Sequence, residues 1–243
     1  MNVELQQFHT PRGWPNLSPF CMKVETWLRL AGVDYRVVTQ PLPNGPMGKL
    51  PVAIIDGEKI ADSHSIIARL SAVSGVDLDA GLDARQRAAA RAFERLINEH
   101  LYWALVYFRW IDDAGWAQMQ SVVLGRMPLP LRLVVAPVAR RGVRAQLKGH
   151  GLGRHPPQEI LRRAAQDLQA LADWLGDQPY FMGDDATSLD ASAYAFIANL
   201  YDAPVETPLK ALVAAHPNLV AYCARLQQRC FGRDPRPPAT SPT

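Results

Sequence analysis

The pattern of apolar and polar residues changes near residue 75 of this 243-residue chain. Before that point, short runs of strand-forming residues alternate with helical runs. Beyond it, apolar residues recur at intervals of three and four over long stretches, which predicts helices only. A chain of this length can bury two hydrophobic cores, so the change predicts two domains.

The first part predicts the element order β-α-β-β-β-α. Asp56-Gly57 is the strongest hairpin signal in the chain and joins the last two strands. We expect Ser63 to cap the helix that follows. The other predicted elements are strands at 3–8 and 34–38 and a helix over 18–32.

The stretch SPFCMKVETWLRLAG, residues 18–32, predicts a helix with two candidate reactive side chains at its start. Pro19 suits the first helical position, which makes Ser18 the N-cap, and Gly32 ends the helix. A helix start favours a thiolate, so either Cys21 is a nucleophile or Ser18 holds the sulfur of a ligand. The spacing of Ser18 and Cys21 is that of a C-x-x-C motif. Dithiol exchange is lost, because no second sulfur is present to resolve a mixed disulfide.

Other polar residues near this helix give weaker signals. Lys23 and Glu25 are expected on a solvated face, and His9 and His64 as ordinary polar residues. Cys223 and Cys230 are expected in the core. The cysteine spacings match no zinc site, so we expect no metal.

The second part begins with a long amphipathic helix over 83–113 that carries a cluster of aromatic residues. TSLD, at 187–190, is a capping arrangement in which Thr187 caps a helix and Asp190 reaches back to it. A last helix is predicted over 216–230, and the Pro-rich tail is expected to be disordered.

Residues 114–158 contain no carboxylate but seven Arg and Lys residues among apolar ones. Such a stretch is typical of a helix face that contacts an anionic surface, or of a solvated face joined to a buried one. Pro128, Pro130 and Pro137 are expected to break it into short pieces, which argues against a membrane contact. The basic residues are Arg126, Arg132, Arg140, Arg141, Arg144, Lys148 and Arg154.

Composition indicates the partners and the cellular location of the protein more than its function. The formal net charge of +3 does not indicate nucleic acid, and we expect none as a partner. The chain shows neither a secretory leader nor a long uncharged apolar run. A cytoplasmic location is therefore predicted.

The motifs resemble the glutathione S-transferase superfamily, in particular its failed-axon-connections and metaxin-like branch with bacterial members. The resemblance rests on the helix at 18–32, on GKLPV with Leu50-Pro51, and on EHLYW and GLGRH. It implies a thioredoxin-like α/β N-terminal domain and an all-α C-terminal domain. The implied boundaries are 1–75 for the glutathione-binding domain, 76–82 for a linker, 83–231 for the helical domain and 232–243 for the tail.

The resemblance also implies roles for individual residues. Ser18 aligns with the catalytic serine of serine-type transferases, which donates a hydrogen bond to the glutathione sulfur. Leu50 and the usually cis Pro51 would present backbone groups to glutathione, Asp62 and Ser63 would bind its γ-glutamyl end, and Lys49 its glycine carboxylate. The second-substrate pocket would involve Tyr102, Trp103 and Tyr107.

Three functions remain open from the sequence. The first is a cytoplasmic detoxifying transferase, a homodimer, in which the glutathione thiolate attacks a small hydrophobic electrophile, with no cofactor beyond glutathione as co-substrate. The second is a non-catalytic binding or scaffold protein of the same fold. The third is a glutathione-dependent thiol reductase that works through Cys21.

Overall fold

The structure, a computed structural model, describes residues 1–10, 13–40, 45–125 and 127–232. Arg126 and the predicted tail beyond Gly232 lie outside these residues. The elements in chain order are β1 (Val3–Phe8), α1 (Pro19–Leu30), β2 (Arg36–Gln40), β3 (Val52–Ile55), β4 (Glu58–Ala61), α2 (Ser63–Ser74), α3 (Ala84–Arg95), a π-helical segment (Leu96–Leu101), α4 (Tyr102–Val106), a second π-helical segment (Tyr107–Ile111), α5 (Asp113–Val122), α6 (Leu129–His150), a 3-10 turn (Leu152–Arg154), α7 (Pro157–Leu175), α8 (Ser188–Tyr201), α9 (Leu209–Ala214), α10 (Pro217–Leu226) and a third π-helical segment (Gln227–Phe231).

The four strands form one mixed sheet in the order β2-β1-β3-β4. β1 is parallel to β2 and antiparallel to β3, and β3 and β4 form a hairpin. The hairpin turns at Asp56 and Gly57, whose φ angles of 49° and 89° suit an Asp-Gly turn. The α/β N-terminal part followed by an all-helical part confirms the predicted fold class.

Helix α1 is buried on nearly every side because it lies between the sheet and the helical part. Met22 belongs to the helical core, and the Trp27 Nε1–H donates to the Ser188 Oγ of α8 at 3.1 Å. The prediction that Lys23 and Glu25 lie on a solvated face is wrong: they are 1% and 0% exposed. Lys23 pairs with Glu94 of α3, and the Glu25 carboxylate accepts hydrogen bonds from Gln7, Arg29 and Tyr35.

The N-cap of α2 also differs from the prediction. Asp62 caps this helix, since its carboxylate accepts the N–H groups of His64 and Ser65, each at 3.0 Å. Ser63 is already the first helical residue and is buried. Asp62 has a φ of 76°, in the left-handed region that a non-glycine residue rarely occupies.

The predicted long helix over 83–113 is confirmed as one helical run from α3 to the second π-helical segment. It begins with a capping box, in which the Asp83 side chain accepts the N–H of Gln86 and the Gln86 side chain accepts that of Asp83. Each π-helical segment shifts the following residues around the helix axis. The aromatic side chains therefore reach more than one neighbouring element.

The prediction that three prolines break the basic stretch is wrong, because α6 runs through it for 22 residues. Pro128 precedes the helix, and Pro130 lies in its first turn, where no backbone donor is required. Pro137 lies inside the helix and costs one backbone hydrogen bond, while the buried Ala136 beside it packs in a core cluster. Within the described residues, no helix combines the length and hydropathy of a membrane span.

The capping box that opens α8 is confirmed. The Asp190 carboxylate accepts the Thr187 N–H at 2.8 Å and also bonds the Phe181 N–H and the Tyr222 hydroxyl. Burial raises the pKa of Asp190, although these hydrogen bonds oppose the rise. Cys223 and Cys230 lie in the helical core, as predicted.

Candidate functional site

Ser18 stands at the mouth of α1, as the N-cap of that helix. Its backbone is extended (φ −85°, ψ 112°), and its Oγ accepts the Cys21 N–H at 3.4 Å. The side chain is half-buried. The Ser18 side chain also forms a hydrogen bond with the Cys21 thiol, so its hydroxyl would have to turn from that thiol to donate to a sulfur placed at the helix start.

Cys21 lies one turn further in and is 0% exposed. Its side chain packs with Leu50 and Val52 behind the mouth of the helix. Burial raises the pKa of the thiol to about 12, despite hydrogen bonds with the Ser18 side chain and the Phe8 backbone. A thiol in that state is protonated at neutral pH, which argues against a reactive thiolate at Cys21.

The Leu50–Pro51 peptide is cis, as the resemblance implies. Pro51 leads directly into β3, whose pairing with β1 and with β4 begins at Val52. The backbone of Leu50 thus lies outside the sheet register, and its side chain contacts Cys21 in the same cluster. The structure places this backbone next to the start of α1.

Asp62 and Ser63 begin the helix that follows β4, at the edge of the sheet. Asp62 is exposed and Ser63 is buried. The Asp62 carboxylate already accepts two backbone N–H groups, so any ligand contact would use its remaining lone pairs. Lys49 is exposed on the loop before Leu50.

The predicted aromatic residues separate in the structure. Tyr102 packs edge-to-face on Phe20 at 4.9 Å between ring centroids, two residues after Ser18. Trp103 stacks on His150 of α6 at 4.8 Å, and Tyr107 packs on the neighbouring Phe108. The structure therefore brings Tyr102 to the mouth of α1, while Trp103 is directed toward α6.

A buried ion pair beside the site was missed from the sequence. Lys23 Nζ of α1 lies 2.8 Å from the Glu94 carboxylate of α3, which also pairs with Arg91 at 3.2 Å and lies 3.8 Å from His64. Burial opposes the effect, but the Lys23 ammonium, which also donates a hydrogen bond, lowers the pKa of Glu94 below its ordinary value. The pair joins α1 and α3 next to the start of α2. No sequence spacing indicated it, because the partners are 71 residues apart.

A second missed network holds the loop before Ser18. The buried Arg109 guanidinium donates to the Leu17 carbonyl at 2.8 Å and to the Asn199 carbonyl at 2.6 Å. Asn199 in turn donates to the Asn16 carbonyl at 3.1 Å, and the Asn16 side chain accepts the Ser18 N–H at 2.9 Å. Burial lowers the pKa of Arg109 to about 9. These side chains fix the backbone that positions the Ser18 hydroxyl.

Among the described residues, no group of His, Cys, Asp and Glu side chains is arranged to hold a metal ion. The donors at the mouth of α1 are a hydroxyl, backbone N–H groups and the edge of the sheet. Such donors suit a thiolate and an extended peptide.

Two family models match the chain. The glutathione S-transferase N-terminal domain matches residues 19–115 and the corresponding C-terminal domain matches residues 164–226. The isoprene-epoxide glutathione S-transferase of Rhodococcus sp. is 36% identical over 224 residues, which cover 89% of this chain and 94% of that protein. The chain belongs to the glutathione S-transferase family.

Relatives of this glutathione S-transferase also include the predicted branch. Failed axon connections of Drosophila melanogaster is 34% identical over 94% of this chain, which spans 58% of that protein. Metaxin-2 of Mus musculus is 28% identical, covering 86% of this chain and 81% of metaxin-2. Both matches confirm the resemblance to the failed-axon-connections and metaxin-like branch.

Solved structures support the fold. A glutathione S-transferase of Methylobacterium radiotolerans in complex with glutathione sulfonate superposes with a TM-score of 0.62, with 23% identity and coverage of 100% and 98% of the two chains. A beta-etherase of Sphingobium sp. gives a TM-score of 0.64 at 18% identity, with coverage of 96% and 100%. At these identities the likeness establishes the transferase fold alone.

Proposed function

We propose that this glutathione S-transferase joins the sulfur of glutathione to an electrophilic carbon of a small hydrophobic substrate. The observation that carries the proposal is the contrast between Ser18 and Cys21. The Ser18 hydroxyl stands half-buried at the mouth of α1, where it can turn to donate to a ligand, whereas the Cys21 thiol is sealed behind it. The sulfur that reacts is then that of the ligand, and the protein supplies the hydrogen bond.

Glutathione is proposed to lie extended along the Leu50-Pro51 edge. The Leu50 backbone is free of the sheet register, so it can pair with the peptide as an added strand would. The γ-glutamyl end would reach Asp62 and Ser63, and the glycine carboxylate would reach the exposed Lys49.

The proposed reaction needs no metal or organic cofactor, since glutathione is the co-substrate. The N–H groups at the start of α1 and the Ser18 hydroxyl stabilise the thiolate, whose electron pair forms the new C–S bond. The bond from that carbon to its leaving atom breaks, and the leaving atom takes a proton from solvent.

We propose an epoxide as the first substrate to test, because the Rhodococcus relative is named for one. Attack would open the epoxide ring and leave an alcohol. Tyr102 would line the substrate side of the mouth, and it stays protonated because burial raises its pKa to about 12. Trp103 and Tyr107 stay proposals for the same pocket.

Ser18→Ala tests this function directly, with Cys21→Ala as the matched control one turn away. We expect Ser18→Ala to lower kcat for epoxide conjugation by about a hundredfold, since one donor to a developing or held anion is lost. The pKa of bound glutathione, read from the ultraviolet absorbance of its thiolate, should rise in Ser18→Ala and stay unchanged in Cys21→Ala.

The same measurements separate the alternatives. Loss of thiol exchange confined to Cys21→Ala would establish the reductase instead, although the burial of that thiol argues against it. If calorimetry detects no glutathione binding at millimolar concentration, the protein is a non-catalytic binding or scaffold protein. The similarity to Failed axon connections and metaxin-2 is the reason for testing the scaffold function.

The setting of the enzyme is part of the proposal. Three free, buried cysteines among the described residues suit a reducing cytoplasm, and conjugation of electrophiles would serve detoxification. A homodimer is proposed from the family resemblance. Sedimentation equilibrium of the full chain checks it, and a monomer at all concentrations would refute it.

A further inference from the structure

Helix α6 exposes a concentration of large apolar side chains that the transferase chemistry does not use. Of the nine large hydrophobic residues exposed within the described ranges, five lie in the first ten residues of this helix. An exposed apolar patch of this kind marks an interaction surface on a soluble protein. The five are Leu129 (58%), Leu131 (53%), Leu133 (68%), Val134 (63%) and Val138 (67%).

Three of the five apolar residues form a stripe on the outer side of α6, while Leu129 and Leu133 project from the other side of its first turns. Leu131, Val134 and Val138 are spaced by three and four residues, which places them on one face over about 10 Å of helix. The opposite face carries Ala136 and Leu147, both buried. The stripe is therefore directed away from the body of the protein.

Arg140 fixes the orientation of this helix. Its guanidinium donates to the carbonyls of Trp110 and Ile111 at 3.0 and 2.7 Å and to the Asp113 carboxylate at 2.6 Å, and it lies over the Trp116 ring. The arginine is thus used for attachment to the neighbouring helices. The acidic residue closest before the basic stretch, Asp113, is neutralised by the same contact.

The basic residues that follow the stripe are available for binding. Arg141, Arg144 and Lys148 are exposed, and among the described residues only Arg144 has an electrostatic partner, the Asp113 carboxylate that Arg140 already binds. No carboxylate occurs in residues 114–158 to balance them. An exposed apolar stripe next to such cations is the arrangement of a helix that lies in the interface of an anionic membrane.

Charge also decides against a second copy of the chain as the occupant. A two-fold contact across this stripe would bring Arg141, Arg144 and Lys148 of both copies together. The same region of either copy contains no carboxylate to pair with them. At an anionic membrane surface, the lipid phosphates pair with the cations and the interfacial layer accepts the apolar side chains.

We propose that the outer face of α6 binds the headgroup region of anionic lipid bilayers. Leu131, Val134 and Val138 insert among the headgroups, and Arg141, Arg144 and Lys148 contact lipid phosphates. This attachment is peripheral and reversible. Binding of α6 to the membrane does not depend on whether the protein conjugates glutathione.

Vesicle sedimentation of the full chain tests the proposal. Vesicles of phosphatidylcholine with phosphatidylglycerol should retain the protein, and vesicles of phosphatidylcholine alone should not. The triple variant Arg141→Gln/Arg144→Gln/Lys148→Gln should bind about a hundredfold more weakly, at roughly a fivefold loss per cation. Leu131→Gln/Val134→Gln/Val138→Gln should lose insertion, with circular dichroism unchanged because these side chains are exposed.

The matched control is Lys59→Gln/Arg85→Gln/Arg95→Gln, which removes the same three charges from other exposed positions. It should keep binding within a few-fold of the unmodified chain. Equal loss in both charge variants would mean a general attraction of net charge and would overturn the assignment to α6. Absence of binding to phosphatidylglycerol vesicles would overturn it too. So would an apolar variant that binds vesicles normally but is a monomer where the unmodified chain is a dimer.

Discussion

A serine and a cysteine three positions apart at one helix start, Ser18 and Cys21, differ in the structure by burial. The hydroxyl of Ser18 stays at the surface of the mouth, and the thiol of Cys21 is enclosed by Leu50 and Val52. A reactive thiolate requires access and stabilisation of its charge. The enclosed position gives Cys21 neither.

The burial of the cysteines predicts their reactivity. Titration of the native protein with a thiol reagent at neutral pH should modify none of Cys21, Cys223 and Cys230, because burial raises the pKa of each thiol, to about 12 for Cys21 and about 11 for Cys230. Three thiols should react after unfolding in guanidinium. Rapid labelling of one thiol in the folded protein, located by peptide mass, would contradict the burial.

The Lys23–Glu94 pair predicts a large effect from a single neutral substitution. Glu94→Gln leaves a buried ammonium without its counter-ion, so we expect the free energy of unfolding to fall by about 3 kcal/mol. The control is Glu58→Gln, which breaks the exposed pair with Arg69 and should cost less than about 1 kcal/mol. Urea unfolding measures both. Equal losses would show that burial does not strengthen the inner pair.

The lowered pKa of Glu94 also predicts a pH dependence. A carboxyl whose folded pKa lies below its unfolded value stabilises the fold fully above the unfolded value, and this contribution is lost as pH falls through the folded pKa. Stability should therefore decline as the pH drops below about 4.3. The melting temperature of Glu94→Gln should fall less over that range than that of the unmodified protein. Parallel curves of melting temperature against pH for the two proteins would refute this cause.

At the level of elements, α8 supports the loop that carries Ser18. Asn199 accepts from Arg109 and donates to Asn16, so one side chain links the helix, the loop and the long helical run. Asn199 is therefore assigned as a positioning residue for Ser18.

Asn199→Ala is expected to lower the free energy of unfolding by about 2 kcal/mol, since it leaves buried partners unpaired. It should also lower kcat and raise the pKa of bound glutathione at temperatures where the variant is fully folded. The control is Asn218→Ala, which removes bonds to the Ala172 and Gly176 carbonyls away from the mouth. It should reduce stability alone, and an identical kinetic loss in both variants would exclude a positioning role.

The capping box of α8 is expected to stabilise the helical core. Asp190→Ala removes one carboxylate that accepts from Thr187, Phe181 and Tyr222, and we expect a loss of about 3 kcal/mol in the free energy of unfolding. Because the box lies outside the candidate site, the pKa of bound glutathione should be unchanged. A shift in that pKa would show that α8 transmits the change to the mouth.

On the scale of the whole molecule, α1 is shared by two cores. Its Val24 and Leu28 pack against the sheet, and its Met22 packs in the helical core. The Trp27–Ser188 hydrogen bond adds a polar contact between the same two parts. The mouth of α1 thus lies where the sheet and the long helical run meet, which is where two substrates could approach each other.

Local sequence alone determined the elements whose causes are local. The hairpin follows from Asp56-Gly57, and the α8 capping box from Thr187 and Asp190. Each depends on residues within a few positions of one another, so hydrogen bonding and periodicity within the segment suffice. The family resemblance could be recognised from the sequence for the same reason, because each of its motifs is a short continuous segment.

Only the tertiary structure decided which surfaces meet water. The sequence placed Lys23 and Glu25 in solvent and divided α6 at its prolines, and both predictions failed. The polarity of a side chain does not reveal the helix that covers it from 71 residues away. Likewise, a proline inside a helix costs one hydrogen bond, and packing against distant residues decides whether the helix continues. Contacts between distant segments determine which residues are buried. Burial in turn determines which thiol is unreactive, which ion pair is strong and which apolar residues remain exposed for binding.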